Sequence, residues 1–119
     1  MAKILIVDDS KFSRKALRAI LESQGHTVFE AADGMSALEQ FSIHEPDLVS
    51  LDLTMQGLGG LETLEKFKNI KPDVKVIIAT ADIQRSTREA VEKSGACGFV
   101  SKPFSKENII AAVNAALTK

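Results

Sequence analysis

The chain has 119 residues, which is enough for one domain with a single hydrophobic core. Its formal net charge of -1 gives no electrostatic reason to expect a nucleic-acid or membrane partner. The single cysteine excludes an internal disulfide, and no apolar run approaches the roughly 20 residues that cross a bilayer.

Apolar runs alternate with amphipathic segments five times along the chain. The predicted strands cover residues 3–7, 27–31, 47–51, 74–79 and 98–101. The predicted helices cover about residues 10–24, 35–43, 61–70 and 85–94, and a fifth begins near Ser105. Ser10 and Ser105 are predicted N-caps, while Gly25 and Gly95 are predicted stop signals. The apolar residues of the first helix recur at helical spacing: Phe12, Ala16, Leu17, Ile20 and Leu21.

The first, third and fourth strands are continuous apolar runs rather than alternating ones. This pattern is typical of a parallel sheet that helices cover on both faces. We therefore expect an α/β fold, a doubly wound five-stranded parallel sheet with five helices. In such sheets, ligands bind beyond the carboxyl ends of the strands.

Polar side chains follow four of the predicted strands. Asp8 and Asp9 follow the first strand, Asp52 the third, Thr80 the fourth and Lys102 the fifth. Buried strands need no polar ends in order to fold. We therefore expect these side chains to share one site at one edge of the sheet.

Three carboxylates in one pocket predict a divalent cation. Without a partner they would repel each other and raise each other's pKa. Mg²⁺ takes oxygen ligands and commonly shares its coordination shell with a phosphate oxygen. Lys102 is a compact charge suited to a phosphoryl oxygen, and Thr80 offers a hydroxyl donor. From these residues alone, Asp52 could be a metal ligand or a nucleophile that forms an aspartyl phosphate.

The joint pattern resembles the receiver domain of two-component response regulators. Asp8-Asp9, Asp52, Thr80-Ala81 and Lys102-Pro103-Phe104 occur in that family's order and spacing. The similarity covers the whole chain and is greatest to the stand-alone, chemotaxis-type regulators. It implies a flavodoxin-like sheet with strand order 2-1-3-4-5, one receiver domain over residues 1–119 and no output domain.

The resemblance also implies the chemistry of the site. Asp52 would accept a phosphoryl group from a sensor histidine kinase or a phosphotransfer protein. Asp8, Asp9 and Asp52 would hold Mg²⁺ together with the backbone carbonyl of Thr54. Lys102 would pair with a phosphoryl oxygen.

Signal output is implied by the same resemblance. Thr80 would move to the phosphoryl group, and Phe99 would turn inward as the switch residue. The surface of the fourth helix, fifth strand and fifth helix would then change its affinity for an output partner. Thr54 and Asp82 would tune dephosphorylation, and the Lys102-Pro103 bond would be cis.

The loop after Asp52 departs from the family pattern. Gln56 stands where proline is common, and Gly59 stands where aspartate is common. With Gly57 also present, the sequence predicts a looser loop than usual.

Other functions remain open on the sequence. One is a metal-dependent phosphatase that forms an aspartyl phosphate, although such enzymes of the haloacid dehalogenase type place an acid where this chain has Thr54. Another is a pseudo-receiver that binds a partner without being phosphorylated, although such domains usually lose these carboxylates. We expect a cytoplasmic monomer that binds neither nucleic acid nor membrane and is not an enzyme with a separate substrate. The N-terminal apolar stretch is too short for a secretory signal.

Overall fold

The computed structural model describes residues 2–53, 59–82 and 84–118. Within these ranges the chain forms five strands and five helices in alternation. The strands are β1 (Lys3–Val7), β2 (Thr27–Ala31), β3 (Leu48–Leu51), β4 (Lys75–Thr80) and β5 (Gly98–Ser101). The helices are α1 (Lys11–Ser23), α2 (Gly34–His44), α3 (Gly60–Ile70), α4 (Arg85–Lys93) and α5 (Lys106–Leu117). None of these helices has the length and apolar character that crossing a bilayer requires.

The strands form one parallel sheet in the order β2-β1-β3-β4-β5. The predicted fold class and strand order are therefore confirmed. Val7 of β1 pairs with Leu51 of β3, so the residues that follow them emerge side by side. This is the switch point of the sheet, where the chain changes direction across the strand order and where ligands bind in such folds.

The hydrophobic core lies in two layers, one on each face of the sheet. Leu5 and Val7 face a layer that α2, α3 and α4 cover, whereas Ile4 and Ile6 face a layer that α1 and α5 cover. Successive residues of a strand point to opposite faces. Apolar residues are therefore favoured on both faces of the central strands, which explains their nearly continuous apolar runs.

Local signals begin and end the helices as the sequence predicts. Ser10 accepts a hydrogen bond from the main chain of Ser13 and caps α1, and Ser105 caps α5 in the same way. Gly25 and Gly95 follow α1 and α4 with φ angles of 86° and 99°, a conformation that glycine adopts without strain. Each predicted element boundary lies within one residue of the observed one.

Phe12 is the exception to the predicted apolar stripe of α1. Its side chain is 84% exposed, whereas Leu17 and Leu21 are each 1% exposed. Phe12 precedes Leu17 by five residues, a rotation of about 140° around the helix. The prediction that Phe12 belongs to the same stripe is therefore wrong.

Candidate functional site

The structure brings the polar residues at the ends of the strands into one pocket. Asp8, Asp9 and Asp52 each offer a carboxylate oxygen, and these oxygens lie within 4.8 Å of one another. Asp8 and Asp52 are buried, at 1% and 2% exposure, while Asp9 is exposed. Together with Lys102, these residues form what we call the acidic pocket.

Lys102 connects the two buried carboxylates. Its Nζ donates to Asp8 Oδ2 at 2.7 Å and to Asp52 Oδ2 at 3.1 Å. Burial lowers the pKa of Lys102, but its hydrogen bonds to Asp8 and Asp52 and their negative charges outweigh this effect, so the pKa is raised. The ammonium group therefore stays charged at neutral pH and holds the two carboxylates together.

The main chain fixes the two buried acids at the sheet edge. The amide of Asp8 donates to the carbonyl of Ala31 at 3.1 Å, and the amide of Asp52 donates to the carbonyl of Val7 at 2.9 Å. The second carboxylate oxygen of Asp8 accepts from the amide of Ser10 at 2.8 Å. These bonds continue the sheet pairing past the last strand residues. The main-chain positions from which the two carboxylate side chains extend are therefore fixed.

The donor set fits a hard divalent cation. All three groups are carboxylates, which are the ligands that Mg²⁺ prefers. Their ligand oxygens, within 4.8 Å of one another, lie close enough together for one ion to be held by all three. The carbonyl of Thr54, the predicted fourth protein ligand, lies outside the described residues, as do Gln56 and Gly57 of the unusual loop.

Thr80 lies at the end of β4 and is fully buried. Its hydroxyl accepts a hydrogen bond from the amide of Asp82 at 3.2 Å. The Asp82 carboxylate in turn accepts from the amide of Gln84 at 3.1 Å and from the hydroxyl of Thr87 at 3.0 Å. In this structure the predicted tuning residue Asp82 therefore holds the start of α4.

Phe99 lies on β5, on the same face of the sheet as Thr80. Thr80 pairs with Ser101, and Phe99 precedes Ser101 by two residues, so the three side chains share a face. The Phe99 ring is half-buried, and the guanidinium carbon of Arg88 lies 5.3 Å from its centroid. The Lys102-Pro103 peptide bond beyond β5 is cis, as the resemblance implied.

Arg14 is the residue of this neighbourhood that sequence reasoning missed. Its guanidinium donates to the main-chain carbonyl of Asp8 at 2.7 Å and to the carboxylate of Glu30 at 3.1 Å. A signal was present in the sequence, because Glu30 is the one charged residue of β2. An acid within a strand requires a partner, and a basic residue on the helix before that strand is the nearest candidate.

Comparison with known proteins identifies the family. The model of the response regulator receiver domain matches residues 4–114. The chain belongs to this family. The receiver domain is 36% identical over 119 residues to the chemotaxis protein CheY of Halobacterium salinarum, covering 99% of both chains. It is also 36% identical over 116 residues to CheY of Bacillus subtilis, covering 97% of both.

Solved structures give the same result for the fold. The receiver domain matches the chemotaxis protein CheY4 of Vibrio cholerae with a TM-score of 0.93 and 27% identity, covering 98% of this chain and 99% of the other. It also matches NtrX of Brucella abortus with a TM-score of 0.94 and 34% identity, covering 98% of this chain but 27% of the NtrX chain.

Family membership defines the general class of activity. Receiver domains are regulators whose activity depends on Mg²⁺ in general, and they act between a histidine kinase or phosphotransfer protein and an output partner. The acidic pocket supplies a cluster that could bind such a metal ion.

Proposed function

We propose that Asp52 accepts a phosphoryl group from the phosphohistidine of a sensor kinase or phosphotransfer protein, in a reaction that requires Mg²⁺. The observation that carries this proposal is the pair of buried carboxylates, Asp8 and Asp52, joined by the Nζ of Lys102 at 2.7 and 3.1 Å. Buried charges need such partners, and a pocket with this charge distribution suits a phosphoryl group beside a cation.

Asp52 is the nucleophile in the proposed reaction. One of its carboxylate oxygens forms a bond to phosphorus, and the bond between phosphorus and the histidine nitrogen breaks. The electron pair of the broken bond stays on the imidazole, which leaves as a neutral ring when its other nitrogen carries a proton. Hydrolysis of the aspartyl phosphate by water later restores the carboxylate and releases inorganic phosphate.

Asp8, Asp9 and Asp52 would hold Mg²⁺, with the Thr54 carbonyl as a further proposed ligand. When bound, the ion would neutralise the charge of the carboxylates and polarise a phosphoryl oxygen. Asp9 is exposed and lies at the open side of the acidic pocket, whereas Asp8 is fixed by Ser10 and Lys102. We therefore expect Asp8 to keep its position during the reaction.

Lys102 and Thr80 respond to the new charge on Asp52. A phosphoryl group adds a charge of about -1.5 to -2 and strong acceptor oxygens. Lys102 has three N–H donors and already contacts Asp52, so it can bind a phosphoryl oxygen without a long movement. The hydroxyl of Thr80 accepts from the amide of Asp82, so its own proton is available to donate to another phosphoryl oxygen.

Phe99 is the proposed reporter of this change. Movement of Thr80 toward the phosphoryl group frees space on the face of the sheet that Phe99 shares. The ring then turns inward, and the surface formed by α4, β5 and α5 changes its affinity for an output partner. Phosphorylation shifts this equilibrium only by its different interaction energy with the two arrangements.

In the proposed function the chain acts as a regulator. Residues 1–119 act as one receiver domain and as a monomer, without nucleic acid or membrane partners. The chain catalyses its own phosphorylation and slow dephosphorylation but has no separate substrate. Thr54 and Asp82 set the rate of dephosphorylation.

Intact mass spectrometry after incubation with acetyl phosphate and Mg²⁺ tests the proposal. The expected result is a gain of one phosphoryl group that EDTA prevents and that Asp52→Asn abolishes. A gain that persists in Asp52→Asn would falsify the assignment of the acceptor. Absence of any gain in the unaltered chain would favour the pseudo-receiver, and repeated turnover of a phosphoester would favour the phosphatase.

A further inference from the structure

Arg14 links the acidic pocket to the neighbouring edge strand. It lies in the first turns of α1, and its side chain is 16% exposed. One nitrogen, Nη1, donates to the main-chain carbonyl of Asp8 at 2.7 Å. A second nitrogen, Nε, donates to Glu30 Oε1 on β2 at 3.1 Å.

Glu30 is itself held in place from the other side. Its second oxygen, Oε2, accepts from Nη1 of Arg18 at 2.6 Å, one turn further along α1. Glu30 thus receives one arginine on each carboxylate oxygen, and of these two arginines it is Arg14 that also bonds the main chain of Asp8. The guanidinium plane of arginine fixes the angle between its donors. The position of the Asp8 carbonyl is therefore set relative to β2.

The contact matters because of where Asp8 lies. Asp8 is 1% exposed, and a buried main-chain carbonyl needs a hydrogen-bond partner. The Asp8 side chain is fixed by Ser10 and Lys102 and its amide by the carbonyl of Ala31, so the peptide unit that can still turn is the one between Asp8 and Asp9. Turning this unit would move Asp9 relative to Asp8 and Asp52.

We propose that Arg14 is a positioning residue that holds Asp9 in place relative to Asp8 for Mg²⁺ binding, by clamping the main-chain carbonyl between them against Glu30. This inference rests on the proposed function, because it takes Asp8 and Asp9 as metal ligands. Arg14 contacts neither the metal nor the phosphoryl group in this proposal and acts through the peptide unit between Asp8 and Asp9. Partners of this kind, one step removed from the metal, typically change metal affinity by about 10–100-fold.

The sign of the effect separates positioning from simple electrostatics. Arg14 carries a positive charge near three acids. Loss of that charge alone would strengthen the binding of a cation. Loss of positioning would weaken it, so the two explanations predict opposite changes in Mg²⁺ affinity.

Arg14→Gln and Arg18→Gln form a matched pair for the test. Each removes one positive charge and one hydrogen bond to Glu30, but only Arg14→Gln removes the bond to the Asp8 carbonyl. The chain contains no Trp or Tyr, so Mg²⁺ binding is followed by NMR titration of amide signals around the acidic pocket. We expect Arg14→Gln to weaken Mg²⁺ binding by about tenfold and Arg18→Gln to leave it near that of the unaltered chain.

Equal affinities for Arg14→Gln and Arg18→Gln, or tighter binding by Arg14→Gln, would overturn the proposal. If the NMR spectrum of Arg14→Gln lacks the dispersion of a folded protein, Arg14→Lys decides. Lysine keeps the positive charge but lacks the planar fork that fixes both bonds at a set angle, so intermediate affinity supports the proposal and unaltered affinity overturns it.

Labelling with acetyl phosphate separates this inference from the proposed function. If the unaltered chain binds Mg²⁺ but is not phosphorylated, the proposed function fails while the effect of Arg14 on metal binding can still be observed. If the unaltered chain is phosphorylated and the two arginine variants bind Mg²⁺ alike, the proposed function stands and the role of Arg14 fails.

Discussion

Lys102 shows why the acidic pocket has a net affinity for cations. Among the described residues its ammonium group pairs with the carboxylates of both Asp8 and Asp52, and Asp9 adds a third carboxylate close by. When all three acids are ionised, one ammonium group leaves negative charge uncompensated. A divalent cation neutralises that excess negative charge. A phosphoryl group on Asp52 then adds negative charge back to the pocket.

Ser50 is a second informative residue, although it lies away from the chemistry. Its hydroxyl is buried in β3 between Ile6 and Ile77 and has no hydrogen-bond partner among the described residues. We expect Ser50→Ala to raise the free energy of unfolding by about 1 kcal/mol, because a buried hydroxyl without a partner is costly. Urea denaturation measures the change.

The exposed Ser101 of β5 provides the matched control for Ser50. Ser101→Ala removes the same hydroxyl from a strand without relieving any burial, so we expect a change within about 0.5 kcal/mol. A clear loss of stability in Ser50→Ala would show that the hydroxyl has a stabilising partner and would contradict this reading.

At the scale of elements, α1 and β2 are joined by Glu30 and its two arginines. The hydrogen bond from Arg18 lowers the pKa of Glu30 most strongly, partial burial opposes this, and the bond from Arg14 lowers it further. A carboxyl whose folded-state pKa is lowered stabilises the fold above its ordinary value of 4.5. That contribution is lost as the pH falls through the lower folded-state value.

The lowered pKa of Glu30 predicts how the stability of the fold depends on pH. The difference in free energy of unfolding between the unaltered chain and Glu30→Gln should be constant near neutral pH and should shrink below pH 4.5. Urea denaturation at a series of pH values measures it. Glu22→Gln is the control, because Glu22 is exposed and its ion pair within the described part of the chain is with Arg18. A Glu30→Gln difference that grows as the pH falls would be incompatible with this interpretation.

At the junction between β3 and α3, the main chain at Gly60 packs closely against the segment that carries Asp52. A Cβ at Gly60 would lie 2.5 Å from the Cα of Leu53 and 3.0 Å from the main-chain oxygen of Asp52. Gly60→Ala must therefore displace either α3 or the chain that carries Asp52. We expect it to cost about 1–3 kcal/mol of stability and to slow labelling by acetyl phosphate.

Gly59 is the adjacent control. A Cβ at Gly59 meets no heavy atom within 4 Å, so Gly59→Ala should change stability by less than about 0.5 kcal/mol. Urea denaturation and the labelling rate are measured for both variants. If the two variants behave alike, the close approach of Gly60 to Asp52 has no consequence for stability or labelling.

The elements also show what the sequence could predict. Continuous apolar runs and helix caps predicted every strand and helix within one residue, because sheet burial and capping are local rules. Polar residues at strand ends predicted that Asp8, Asp52 and Lys102 would meet. The environment of Phe12 and Ser50 could not be predicted in the same way, since it depends on how α1 and β3 are oriented in the packed structure.

Arg14 illustrates a second limit of the sequence. Its bond to the Asp8 carbonyl joins a helix side chain to a main-chain atom, and no pattern of residue types reports a main-chain contact. Asp82 is similar, because its carboxylate holds the start of α4 through Thr87 rather than lying in the loop as a separate group. Both cases require three-dimensional information.

At the scale of the whole molecule, Mg²⁺ binding should be coupled to folding. The acidic pocket contains residues that follow the ends of β1, β3 and β5, and these ends come together only in the folded chain. A ligand that binds only the folded state adds about 2.7 kcal/mol of stability at a concentration of 100 times its Kd. We expect Mg²⁺ to raise the melting temperature and EDTA to reverse the rise.

Asp9→Ala is the variant that tests this coupling. Asp9 is exposed, so the variant should fold, but the rise with Mg²⁺ should largely disappear. Calorimetry at matched ionic strength measures both chains with and without Mg²⁺. An equal rise in the two chains would remove Asp9 from the metal site.

The most direct test of the central claim is to locate the phosphorylated residue chemically. Borohydride reduces an aspartyl phosphate to homoserine, which peptide mass mapping can place in the sequence. After treatment with acetyl phosphate and Mg²⁺, we expect homoserine at position 52, and we expect none when Mg²⁺ is removed. Homoserine at Asp8 or Asp9, or at no position in a chain that binds Mg²⁺, would contradict the assignment of Asp52 as the phosphoryl acceptor.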